Sequence, residues 1–356
     1  MVTTVAKATS IVRRSLTPNK PYHVQWLITR RCNYRCEGCN VWREQDERGL
    51  TTEQILEGLD ILRELGTIEV VLSGGNPLLR SDIGEIIDYA SRYFITTVYD
   101  NGSVASQKIE ELRKADFVAI SLDSLDPQKN DRARGVKGAY RNSMEAVEKL
   151  HQEGIPVSVS PTISQSNLHE IVGFTEYFLK RDVPVWYCLY SYDLNDQSQL
   201  FRIGKKNDSL AIADEKAISD LCDSLVDMKK RSKKILITTQ VLEAVKKLYK
   251  TGERTWKCRA LQNFFVVDHL GRVAGCHLHD PVTTIFDLPK VWNAEKLDVL
   301  RRTYRDCTQC TYMCYIFYSL HGSVWGNLKI AKEQWKNVGL LLKRNGTSLP
   351  SWAGKK

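Results

Sequence analysis

Between His23 and Tyr190 the chain alternates short apolar, β-branched runs with stretches of helical spacing, and this rhythm narrows the possible folds more than any other feature. Strands are expected at His23–Thr29, Ile68–Ser73, Ile95–Tyr99, Phe117–Leu122, Pro156–Thr162 and Val183–Tyr190. Helices are expected between them at Thr51–Gly66, Ile83–Tyr93, Ser106–Arg113, Ala139–Glu153 and Leu168–Arg181. Alternation of this kind means parallel strands joined by right-handed crossovers. Six strands are too few for a closed eight-stranded barrel. The expected fold is therefore α/β, a partial (β/α)6 TIM-type barrel whose site lies at the carboxyl ends of the strands.

Chemistry-bearing residues fall at those ends. Directly after the first strand come Cys32, Cys36 and Cys39, three thiols within eight residues. A loop this short wraps a single centre. Three protein ligands leave one position open, which suits a reactive site better than a closed structural zinc; zinc at these thiols remains the plain alternative. The second strand runs into Gly74-Gly75-Asn76-Pro77. Paired glycines let backbone approach a ligand and the proline stiffens the exit, although a tight βα turn needs the same residues. Asn101-Gly102 follows the third strand and reads equally as a turn pair. Ser121 and Asp123 follow the fourth, where the carboxylate can bind ribose hydroxyls or cap the next helix.

Charge and cysteine usage set the surroundings. Ten cysteines with no recognisable export signal point to metal or cluster binding in a reducing cytoplasm. No apolar run reaches membrane-spanning length. From Lys229 onward, 24 Lys and Arg stand against 9 Asp and Glu, whereas the rest of the +9 chain is net acidic. A basic final third suits an anionic substrate, a phosphate-bearing surface or nucleic acid, or serves only as a solubilising face.

The first strand, the Cys32/Cys36/Cys39 spacing and the Gly74–Pro77 loop together resemble the radical S-adenosylmethionine (SAM) superfamily over roughly Tyr22 to Tyr190. The resemblance implies a [4Fe–4S] cluster on the three cysteines, with the fourth iron left for SAM. It further implies reductive cleavage of SAM to methionine and a 5′-deoxyadenosyl radical that abstracts a substrate hydrogen. The Gly74, Gly75, Asn76, Pro77 loop is similar to the family's Gly-Gly-Glu-Pro motif, and Asn101, Ser121, Asp123 and Arg134 would complete the SAM-binding rim. Two departures stand out. Asn76 replaces the usual acid, leaving contact with SAM to backbone carbonyls or the amide oxygen. Gly38 replaces an aromatic residue before the third cysteine, with Tyr34 and Trp42 as alternative aromatic surfaces.

A second cysteine set follows the end of the βα rhythm. Phe264–His269 and Arg272–Cys276 read as a hairpin turning near Gly271, which brings Cys258 and Cys276 within reach of each other. Cys307 and Cys310 can chelate from one loop and complete four thiolates, a set that also suits zinc. Cys258, Gly271 and Cys276 are similar in spacing to the opening of the SPASM/twitch extension of radical SAM enzymes. That resemblance implies the short twitch form with one auxiliary [4Fe–4S] cluster on Cys258, Cys276, Cys307 and Cys310, with Cys314 as a spare. Cys188 and Cys222 read as ordinary buried thiols. His277 and His279 alternate as on a strand and are expected to line the cluster or substrate cavity.

The expected organisation is an N-terminal extension at 1–21, the partial barrel at 22–192, a helical connection at 193–255, the auxiliary-cluster region at 256–316 and a basic tail at 317–356. An amphipathic helix is expected at Val5–Leu16, a polar loop at Asp193–Asn207 and a basic amphipathic helix at Trp325–Lys343, the last with possible membrane-surface contact. Only 31 residues precede Cys32, too few for a peptide-binding domain. The expected function is an oxidative modification of a small anionic or lipid-linked metabolite, with an electron donor such as ferredoxin or flavodoxin. A peptide maturase forming cross-links or thioethers is the alternative within this chemistry. A zinc-bearing nucleic-acid-binding protein is the alternative outside it, although nucleic acid fits the cysteine loop poorly.

Overall fold

The computed structural model describes residues 20–44, 48–193, 204–205, 208–308 and 311–321. The helices expected at Val5–Leu16 and Trp325–Lys343, most of the 193–207 loop and Cys310 lie outside them.

Strands β1 (His23–Thr29), β2 (Glu69–Gly74), β3 (Ile95–Asp100), β4 (Phe117–Ser121) and β5 (Val157–Ser160) are neighbours in that order and all parallel. Each crossover carries helix, as the apolar spacing requires. The Thr52–Leu65 helix starts on a capping box between Thr51 and Gln54 and stops at Gly66 in the left-handed conformation. Its buried Ile55, Leu59 and Leu62 face the sheet, and Gly58 lies directly against the Trp26 ring. The Ile83–Tyr93 helix has the bounds expected from its periodicity.

The fifth and sixth expected strands are broken up. Pro161 lacks the N–H needed to continue a ladder, so β5 ends at Ser160 and β6 is only Thr162–Ile163. β6 pairs in parallel with β7 (Cys188–Leu189), and Val185 forms isolated parallel bridges to Val159 and Ile235. The sixth barrel position is thus filled by two short pairings. A two-residue pair, β8 (Tyr192–Asp193) with β9 (Gly204–Lys205), follows.

The other edge of the sheet is extended by distant sequence. β10 (Phe264–Val267) lies parallel to β1, pairing His23 with Phe264 and Trp26 with Val267. β10 then turns through Gly271 into antiparallel β11 (Arg272–Ala274), which pairs with β12 (Thr283–Thr284). The expected hairpin is present, and it belongs to the same eight-stranded sheet as the barrel, so the limits drawn at 22–192 and 256–316 fall within one sheet. Helices Pro127–Arg134, Glu295–Arg305 and Met313–Leu320 were not foreseen. Tyr315 and Tyr318 of the last one stack on Phe264 and His23, and the Tyr318 hydroxyl donates to Glu69 Oε2 at 2.5 Å, closing the amino end of the sheet.

Candidate active site

β1 delivers the chain to the carboxyl end of the sheet, and the cysteine loop is fixed there by backbone. Arg35 N–H donates to Arg134 O at 3.2 Å and Glu37 N–H to Ala133 O at 2.9 Å. Carbonyls at the end of the Pro127–Arg134 helix would otherwise lack partners, so loop and helix end satisfy each other. Trp42 Nε1 donates to Cys36 O at 3.1 Å, bracing the loop from its far side.

Burial raises the pKa of all three thiols, and each is also raised by the charge of another cysteine or a nearby carboxylate. Cys39 is pushed up to about 12, first by burial and then by Cys36. The three sulfurs are therefore one electrostatic group. Among the described residues no three His, Cys, Asp or Glu are drawn in to single-ion spacing. Cysteines of a cubane cluster sit farther apart than that, each on its own iron. Binding iron requires thiolates and releases these protons.

Arg134 supplies the positive charge. It is 8% exposed, its Nη2 donates to Asp123 Oδ1 at 2.7 Å, and its positive charge partly offsets the effect of burial on the Cys36 thiol. Its buried Nε has no hydrogen-bond partner. An orphaned guanidinium N–H beside three thiols fits an added anionic group, such as a cluster sulfide or a ligand carboxylate. The residues present thus fit an iron–sulfur centre with an anionic ligand.

The glycine loop lies beside this centre, with its backbone packed against the exit of β1. A Cβ on Gly74 would fall 2.2 Å from Thr29 O, and one on Gly75 would fall 2.2 Å from Arg31 O. Gly75 N–H donates to Thr29 O and Asn76 N–H to Arg31 O, both at 2.8 Å. The missing side chains let this loop zip onto the exit of β1. Pro77 opens the short turn that follows. Asn76 is fully buried, with its amide turned inward rather than along the rim.

At the remaining rim positions, Asn101 lies with Asn76, Asn33 and Ser103 beside Cys32. Asp123 is a brace, because Oδ1 also accepts from Thr162 N–H at 2.8 Å. Ser121 O accepts from Ser143 Oγ at 3.0 Å. Gly38 has no side chain because Tyr190 fills the space, its Cε2 only 2.5 Å from where a Cβ would stand. The Tyr190 hydroxyl donates to Asp208 at 2.8 Å. Tyr34 is buried with its hydroxyl accepting from Asn142, so the aromatic surface beside Gly38 comes from Tyr190, not from Tyr34 or Trp42. No local signal in the sequence links two residues so far apart.

The second set gathers around a partly open pocket beside the hairpin. Cys258, Cys276 and Cys307 line it together with His279, Tyr304 and Trp256. His279 Nε2 lies 3.7 Å from Cys307 Sγ. β11 ends at Ala274, before the two histidines, so strand alternation does not apply to them. His279 faces this cavity, whereas His277 packs between Tyr312 and Tyr315, where burial lowers its pKa to about 3. Cys314 is placed differently from the three lining thiols: with Cys188, it lies near enough to Tyr99 to raise that phenol's pKa, after burial. Cys188 is half-buried, 3.8 Å from Ser160 Oγ, and Cys222 is buried in the Glu215–Arg231 helix.

Residues 26–178 match the Radical SAM superfamily. An Fe-coproporphyrin III synthase of Methanosarcina barkeri is 29% identical over 167 residues, 45% of this chain and 42% of that protein. The antilisterial bacteriocin subtilosin biosynthesis protein AlbA of Bacillus subtilis is 25% identical over 299 residues, 77% of this chain and 62% of that protein. The chain thus spans less than two thirds of the length of these relatives. The crystal structure of Streptococcus suis SuiB bound to S-adenosylmethionine shares the fold, with a TM-score of 0.63 and 16% identity, covering 91% of this chain and 77% of that one. Matched sequence, parallel sheet and three-thiol loop coincide within residues 26–178, the part of the chain that is similar to the Radical SAM superfamily.

Proposed function

We propose that the chain is an enzyme that cleaves SAM reductively and uses the resulting radical for an oxidative modification. The observation that carries this reading is the half-buried three-thiol loop with the orphaned Arg134 Nε beside it. A [4Fe–4S] cluster bound there supplies the electron that cleaves SAM to methionine and a 5′-deoxyadenosyl radical. Cys32, Cys36 and Cys39 hold it, and Arg134 offers its free N–H to an anionic ligand group. Gly74, Gly75, Asn76 and Pro77 present backbone to SAM, and Asn101, Ser121 and Asp123 complete the rim. Tyr190 keeps the third cysteine in place.

Cys258, Cys276 and Cys307 hold an auxiliary cluster, completed by Cys310 from outside the described residues. Such a centre would supply an acceptor for the second electron of a substrate oxidation. A small one-electron protein, ferredoxin or flavodoxin in kind, supplies the first. The substrate reading is a small anionic or lipid-linked metabolite. Support comes from the basic final third and from the relative named as an Fe-coproporphyrin III synthase, since coproporphyrins are carboxylated small molecules. A peptide substrate is the second reading, favoured by the match to the bacteriocin biosynthesis protein across 77% of the chain.

The test is SAM consumption under anaerobic reduction, with either a carboxylated tetrapyrrole or a cysteine-containing peptide added. Deuterium transfer from a labelled tetrapyrrole into 5′-deoxyadenosine is expected. Transfer from the peptide alone would replace the small-molecule reading with the peptide one.

A further inference from the structure

Three asparagines and a serine join the cysteine loop, the glycine loop and the end of β3 beside Cys32. The direction of every hydrogen bond in this group follows from two backbone donors. Leu78 N–H donates to Asn76 Oδ1 at 2.9 Å, and a backbone N–H can only donate, so the other end of the Asn76 amide is its NH2. That NH2 donates to Asn101 Oδ1 at 2.9 Å and to Ser103 Oγ at 2.9 Å. Ser103 N–H also donates to Asn101 Oδ1 at 2.9 Å and fixes that oxygen independently. The other end of the Asn101 amide is therefore its NH2, which donates to Asn33 Oδ1 at 3.0 Å and lies 4.0 Å from Cys32 Sγ. That Asn33 oxygen also accepts from the Asn76 NH2 at 3.3 Å and the Ser103 hydroxyl at 3.2 Å.

We propose that Asn76 and Asn101 form a backbone-pinned amide relay whose last N–H points at the Cys32 sulfur and raises the reduction potential of the centre bound there. The relay rests on the reading that Cys32, Cys36 and Cys39 hold an iron–sulfur cluster. Donors aimed at cluster sulfurs stabilise the more negative, reduced state. The relay also accounts for the asparagine at position 76. A carboxylate there would set an oxygen against Asn101 Oδ1, repelling the group it now holds. Asn101 acts here as a positioning residue through the Cys32 sulfur.

The experiment is an EPR-monitored redox titration of the full chain, reconstituted with iron and sulfide and reduced by dithionite. The N-terminal centre is identified as the signal that changes on adding SAM. Asn101→Leu removes the donor without adding charge, and its midpoint potential is expected to fall at unchanged iron content. Asn101→Asp keeps the pinned oxygen and is expected to lower the potential further. Ser103→Ala leaves the Asn101 N–H in place and is expected to shift it least. Full iron with an unmoved potential in Asn101→Leu overturns the relay. Loss of iron in both Asn101 variants also overturns it, because the residue would then be needed for assembly rather than tuning. Wild-type chain that takes up no SAM-sensitive centre defeats the cluster reading itself, a separate outcome.

Discussion

The two thiol sites are built in opposite ways. Cys32, Cys36 and Cys39 come from one loop of eight residues, tied by backbone hydrogen bonds to the end of a helix and by side-chain amides to two neighbouring loops. Cys258, Cys276 and Cys307 come from three separate segments that meet at a pocket lined by Tyr304, Trp256 and Phe264. The first site is polar and held in place before any ligand arrives. The second is assembled only when the hairpin and the segments around it have docked. Local sequence specifies the first; tertiary packing specifies the second. A centre bound at the second therefore contributes to folding stability, as structural metal sites do, whereas one bound at the first is positioned for chemistry.

The largest effect that sharpens this contrast is expected from the loop. Cys36→Ala should abolish 5′-deoxyadenosine formation and remove roughly four of about eight irons, leaving the thermal midpoint nearly unchanged. At the cavity, Cys276→Ala should also lose roughly four irons, yet SAM cleavage should persist without substrate oxidation and the thermal midpoint should drop. Equal midpoints in the two variants would break the comparison. Smaller again is Gly38→Ala, which sets a Cβ against the Tyr190 ring and should cost about 1–3 kcal/mol by overpacking. Chemical denaturation measures this, and adding Tyr190→Ala should recover part of the loss.

The smallest effect is a pH dependence that does not involve either thiol site. Burial lowers the pKa of His321, hydrogen-bonded to Thr238 at 3.1 Å, to about 3. The unfolded chain takes up this proton below an ordinary pKa of about 6.5, while the folded chain does not. Stability is therefore complete above about pH 6.5 and is lost as pH falls, by about 2 kcal/mol from this group at pH 5. His321→Gln should flatten that part of the profile in denaturation curves taken between pH 5 and 7.

Much of the barrel was legible because its signal is local. The Ile83–Tyr93 helix and strands β1 to β4 follow directly from apolar period, and the cysteine and glycine motifs fell where strand ends place them. The sixth strand was less legible because Pro161 interrupts the ladder before it. The Pro127–Arg134 helix is so polar that periodicity passes over it, although Asp126 followed by Pro127 is a start signal. What the sequence hid was long-range. Nothing near Gly38 announces Tyr190, nothing near Phe264 announces that β10 pairs with β1, and the use of Gly74 and Gly75 to approach β1 backbone has the same composition as a ligand ledge. The inward turn of Asn76 depended on Asn101 and Ser103, which only the fold brings together.

The central claim is that the Cys32–Cys39 loop holds a redox cluster that cleaves SAM. Anaerobically reconstituted chain should therefore be examined by Mössbauer spectroscopy and by product analysis after adding dithionite and SAM. The account predicts [4Fe–4S] signals and 5′-deoxyadenosine, with the product and one cluster's worth of signal both absent from the Cys32→Ala, Cys36→Ala, Cys39→Ala triple variant. Tightly bound zinc without SAM cleavage, or undiminished cleavage by the triple variant, would contradict it.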